Sequence, residues 1–127
     1  MKKLRTEDYL EHIVGSSGDI LSFTNGFSKE AFKTDLLTQK AVVMCLIEIG
    51  EAATKIASSD PDFVAENNAL PWPQMRGMRN RIAHGYSDID LDIVWQTLTS
   101  AIPTLNKQAD ALLNDLREGP VPGPSTN

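Results

Sequence analysis

The sequence predicts an all-α fold: a small antiparallel helical bundle of four main helices plus a short helix. Three observations predict it. Apolar residues recur at three- and four-residue steps along most of the chain, the period of one helix face. Clusters of Gly, Pro, Asn, Asp and Ser bracket these stretches as turns do. A length of 127 residues with 41% apolar content suits one domain with a modest core.

The first helix is expected over about residues 6–24, with Thr6 as N-cap and Glu7 and Asp8 in the favourable first turn. Tyr9, Ile13, Ile20 and Leu21 supply its apolar stripe, while Gly15 and Gly18 weaken its middle. "TNG" then reads as a turn, and Ser28 caps a short helix beginning "SKEAF". The strongest element spans about residues 34–57, where Leu37, Val42 or Val43, Cys45 or Leu46, Ile49, Ala53 and Ile56 follow the helical period. Its apolar face is broad enough to meet more than one helix. "SSDPDF" and "NNALPWP" are turn-rich brackets around at most a short turn or helix. Pro71 suits the first turn of the next helix, where a missing N–H costs nothing, and Pro73 is tolerated there too. That helix runs through "QMRGMRNRIA" and breaks at Gly85.

The last helical region covers about residues 90–116. Ile93, Val94, Leu98 and Ile102 mark its first half, and Leu105, Ala109, Leu112 and Leu116 its second. Pro103 should kink or divide it. The domain is read as residues 1–118, and "GPVPGPSTN" at 119–127 as a disordered tail.

Net charge is −5, which argues against broad, non-specific coating of nucleic acid. The positive charge is local. From Asn67 to Tyr86 there is no Asp or Glu, yet there are three Arg and one His. Cys45 is the only cysteine, so an intramolecular disulfide and a cysteine zinc cluster are excluded, and its apolar setting suits a buried structural thiol. No metal site is expected. The N-terminus lacks the apolar segment of a signal peptide and no run suits a membrane span, so a cytoplasmic protein is expected.

The local cluster is "MRNRIAHGYSDID", residues 78–90. Arg79 and His84 lie about 140° apart on a continuous helix, so a break near His84 is needed to bring them together. Asn80 and His84 match as an i,i+4 pair, and Asn80 can orient the imidazole or bond a phosphate. An arginine fork grips two phosphate oxygens, and a histidine at a helix C-terminus suits proton transfer near neutrality. RNA carries its own nucleophile, the 2′-hydroxyl, so such a cluster can cut it without metal. One histidine does not easily serve both sides of that reaction; two copies sharing a cleft do. Arg76, Arg79 and Arg81 also read as a plain solvated helix face, His84 as a satisfied helix-end residue, and Tyr86 as packing.

The cluster resembles a known family. "RNRIAHGY" is similar to the Arg-x4-His-x-Tyr motif of HepT-like proteins of the HEPN nuclease superfamily, with Arg79, His84 and Tyr86 in order and spacing. "IEIGEAATKI" upstream, "LPW" before the motif and "DIDLDIVWQTL" after it fit as well, so the resemblance covers roughly residues 5–116. It implies a HEPN-like bundle and a homodimeric, metal-independent endoribonuclease toxin of a toxin–antitoxin pair. Arg79 and His84 would be catalytic and Asn80 and Glu51 supporting, on an RNA such as tRNA or mRNA; the neighbouring Arg76 and Arg81 are expected to contact substrate phosphate. It also implies an MntA-type nucleotidyltransferase antitoxin as partner, using ATP and Mg²⁺ to adenylylate Tyr86. Glu51, the glutamate of "GEA", would orient Arg79 or hold a polar network, against a plain surface role. The rival reading is a non-catalytic helical protein that docks on or regulates a nucleotidyltransferase.

Overall fold

The computed structural model describes residues 2–84 and 89–119, with the side chains of residues 2–4, 79 and 81–84 outside that description. The described residues form helices α1 (Lys2–Phe23), α2 (Lys29–Thr34), α3 (Leu36–Ser59), α4 (Pro61–Glu66), α5 (Trp72–His84), α6 (Leu91–Gln96) and α7 (Ile102–Glu118), with a π-helical turn at Thr97–Ala101 between the last two. Four are long and three are short, and no strand occurs among the described residues.

α3 lies at the centre, with α1 and α5 packed on it, and α7 packs on α1. The polar links show the directions. Thr6 pairs with Asp60 and Ser16 with Glu48, so α1 and α3 run antiparallel. Val14 and Ser17 meet Asn106 while Glu7 and Glu11 meet Arg117, so α1 and α7 are antiparallel too. Burial follows the expected period. Ile13 and Ile20 of α1, Val42, Val43, Cys45, Leu46, Ile49, Ala53 and Ile56 of α3, and Leu98, Ile102, Leu105 and Ala109 of the last region form the core. Each such aliphatic side chain contributes about 1.5–3 kcal/mol through removal from water.

Capping defines several helix starts. Ser28 accepts from the Ala31 N–H, as the sequence suggests, and Asp35 does the same for Thr38 at the start of α3. Gly26 holds φ +82 in the expected turn after Thr24, a backbone that suits glycine. Gly15 and Gly18 do not interrupt α1, whose packing against two helices outweighs their propensity.

Several expectations are corrected. Thr6 is not an N-cap: α1 begins at Lys2, so Thr6 lies inside the helix, fully buried, with its hydroxyl donating to Asp60 Oδ2 at 2.7 Å. Leu37 is 81% exposed and Ile93 40%, so the apolar stripes expected through them do not bury these two side chains. Pro71 stands just before α5 and accepts from the Met75 N–H, leaving Pro73 in the first turn. Gly85 and most of the tail lie outside the described residues.

Pro103 does divide the last region, through the π turn. A proline inside an α-helix lacks its N–H and crowds the carbonyl four residues back. The π turn widens the ladder just before it, so the Ile102 N–H donates to Thr97 O. Hydroxyls serve the carbonyls of that stretch: Thr97 donates to Ile93 O, Thr99 to Trp95 O and Ser100 to Gln96 O.

Asp60 joins two elements, accepting from the Phe63 N–H at the start of α4 and from the buried Thr6 hydroxyl. Asp60→Ala removes a cap and orphans that hydroxyl, so urea unfolding should show a loss of about 2 kcal/mol or more. Adding Thr6→Val, which leaves no orphan donor, should recover part of the loss.

Candidate functional site

α5 carries most of the basic cluster, and its N-terminal half fixes its position. Trp72 is buried, its indole N–H donates to Asn67 O at 2.9 Å, and Phe63 meets its ring edge-on. Met75 is buried one turn later and Met78 packs against the core after it. These methionines, with Leu46 and Ile49 of α3 and Ile102 and Leu105 of α7, line an apolar cleft of about 200 Å³. The apolar stripe thus holds α5 against α3 and turns Arg76 and Asn80 outward, where both are exposed. Arg76 makes no ion pair among the described residues. His84 is the last residue of α5. The side chains of Arg79, Arg81 and His84, and Tyr86 altogether, lie outside the described residues.

Glu51 lies on α3. It is exposed and lines a groove of about 510 Å³ between α1 and α3, together with Tyr9, His12, Ser16, Glu48 and Lys55. It carries an interaction and is not a free carboxylate. The sequence reading did not find this groove. The signal was present: Tyr9, His12, Ser16 and Asp19 follow at helical spacing on one side of α1. Ser16 is nearly buried and donates to Glu48 Oε1 at 2.9 Å, while the Arg5 guanidinium donates to the Tyr9 hydroxyl at 2.9 Å. The lining carries more carboxylates than cations, so it does not favour a polyanion.

Cys45 is buried, and its thiol is pushed up to about 11 by burial and by the Glu48 and Asp19 carboxylates. A thiol held protonated near neutrality is not a nucleophile, which agrees with its structural reading. Among the described residues no group of His, Cys, Asp and Glu is placed to hold a metal ion. None of the described helices is long and apolar enough to cross a membrane.

Residues 13–112 match the family model described as ribonuclease HepT-like. A protein of Thermococcus cleftensis named "Probable ribonuclease HepT" is 35% identical over 106 residues, covering 84% of this chain and 94% of its own. The candidate RNase TTE0752 of Caldanaerobacter subterraneus is 32% identical over 105 residues, 83% of this chain and 91% of its own. The candidate RNase MJ0127 of Methanocaldococcus jannaschii is 30% identical over 116 residues, 91% of this chain and 93% of its own. No solved structure matches.

Proposed function

The chain belongs to the ribonuclease HepT-like family, and from that premise we propose that it is a toxin that cuts RNA and is silenced by adenylylation of Tyr86. The observation that carries the reading is the ordered Arg79-x4-His84-x-Tyr86 spacing within a stretch free of Asp and Glu. Around it, an exposed Arg76 and Asn80 leave the polar side of α5 open to a phosphate backbone.

The reaction needs little from the protein. The RNA 2′-oxygen attacks the adjacent phosphorus as its proton passes to a base. The P–O5′ bond breaks and the leaving 5′-oxygen takes up a proton, leaving a 2′,3′-cyclic phosphate. His84 moves these protons, one copy from each protomer of a homodimer serving as base and acid. Arg79 holds the non-bridging oxygens and strengthens its grip as charge builds in the transition state. Asn80 orients the imidazole, Arg76 and Arg81 contact flanking phosphates, and Glu51 supports the network. Cleavage itself uses no cofactor. The partner is an MntA-type nucleotidyltransferase, which spends ATP with Mg²⁺ to place AMP on Tyr86, and the pair works in the cytoplasm on tRNA or mRNA.

Purified protein incubated with tRNA or single-stranded RNA in EDTA is expected to yield fragments ending in 2′,3′-cyclic phosphate, read by end-group chemistry. No cleavage of any RNA, or fragments ending in a free 3′-hydroxyl, would overturn the mechanism.

A further inference from the structure

α5 carries a glycine that nothing among the described residues requires. Gly77 lies inside the helix and does not take the positive φ that favours glycine. A Cβ built on it would meet nothing within 4 Å among the described residues. Glycine weakens a helix interior relative to alanine. An open position of this kind therefore favours alanine, unless something from outside the chain comes close to the backbone.

The surroundings of Gly77 favour an anion. Met75 and Met78 pack the inner side of α5. Two residues on from Met75, Gly77 lies near the opposite side of the helix. There it stands beside Arg76 and one turn before Asn80, and both of these are exposed. Arg76 makes no ion pair among the described residues. No acidic residue occurs from Asn67 to Tyr86. Four residues beyond Asn80, the same line of the helix reaches its end at position 84. Gly15 gives the contrast. It too is an open glycine inside a helix, but Glu11, Asp19 and Glu48 line the groove beside it. Bare backbone among cations admits a phosphate closely, whereas bare backbone among carboxylates repels one.

We propose that the RNA strand crosses α5 over Gly77, its sugar–phosphate backbone against the bare helix and a phosphate within reach of Arg76, on the line that passes Asn80 and ends at His84. The inference rests on the ribonuclease reading and adds the course of the substrate over the helix. A side chain at position 77 would lift the strand away and lengthen its bonds to the polar side chains on either side. Such bonds weaken steeply as distance and angle depart from the ideal. Gly77 is thus a binding residue that acts by leaving room.

Fluorescence anisotropy on the full chain tests the contact, with a single-stranded RNA whose 2′-hydroxyls are methylated so that it resists cleavage. Gly77→Ala should raise the melting temperature by about 2–4 °C, because alanine favours the helix. The same variant should weaken RNA binding about 10-fold, the loss of one charge-assisted hydrogen bond. Gly77→Leu, also a good helix former, should weaken it further. With unmodified RNA in EDTA, KM should rise while kcat holds. Gly15→Ala should gain similar thermal stability and bind RNA as the parent does. Unchanged binding by both Gly77 variants, or an equal loss in Gly15→Ala, overturns the inference, and the ribonuclease reading stands if the parent cuts RNA. A lower melting temperature for Gly77→Ala also overturns it, because the fold itself would then need the glycine. So does weaker self-association by sedimentation at unchanged RNA affinity, which would put a second copy at this position. A parent that cuts no RNA yet shows the Gly77 effect on the methylated strand upholds the contact and ends the ribonuclease reading.

Discussion

His84→Ala should cut RNA about 10²–10⁴-fold more slowly in EDTA while folding and melting as the parent does, the usual loss for a proton-transfer group. The expectation of intact folding comes from where α5 is anchored. Trp72 and Met75 hold its first turns, with the indole N–H bonded to Asn67 O, whereas His84 is its last residue. Alanine at a helix end keeps the backbone and removes only the imidazole. Equal cleavage by a folded His84→Ala protein, measured by initial rates on the same RNA, would remove His84 from the chemistry.

The main helices were readable because each buries a long stripe. The run from Val42 to Ile56 has no strand-like alternation, and its buried residues are those the period selects. What escaped the sequence depends on partners distant along the chain. Thr6 has the chemistry of an N-cap, but four further residues extend α1 and Asp60, more than fifty positions away, takes its hydroxyl. Leu37 fits the α3 stripe by spacing, yet it is largely exposed. Pro103 announced a division without saying that a π turn and three hydroxyls would make it. The basic cluster was legible as order and spacing, since Arg79, His84 and Tyr86 are close in sequence. The groove that holds Glu51 was not, because it exists only once α1 and α3 pair.

Incubation with an active nucleotidyltransferase partner, ATP and Mg²⁺ should add at least one AMP to the chain and abolish cleavage, with Tyr86→Phe escaping both. In the transfer the Tyr86 phenol oxygen attacks the α-phosphorus of ATP, its proton leaves to a base, and pyrophosphate departs. The product keeps one negative charge and carries a bulky base at the position two residues beyond His84. Charge is what makes this a strong switch. The stretch from Asn67 to Tyr86 has no acidic residue, so an added phosphodiester would bind the same arginines that RNA needs and repel the incoming backbone. Two unit charges 4 Å apart repel by about 4 kcal/mol near a protein surface. That is worth close to three decades in binding at about 1.4 kcal/mol per tenfold. Phenylalanine retains the ring and lacks the acceptor oxygen, so it separates modification from packing. Intact mass and cleavage rate, read on the same sample, decide the matter: an AMP-sized gain on Tyr86→Phe would move the acceptor elsewhere, and a fully modified parent that still cuts RNA would end the role of Tyr86 as the switch.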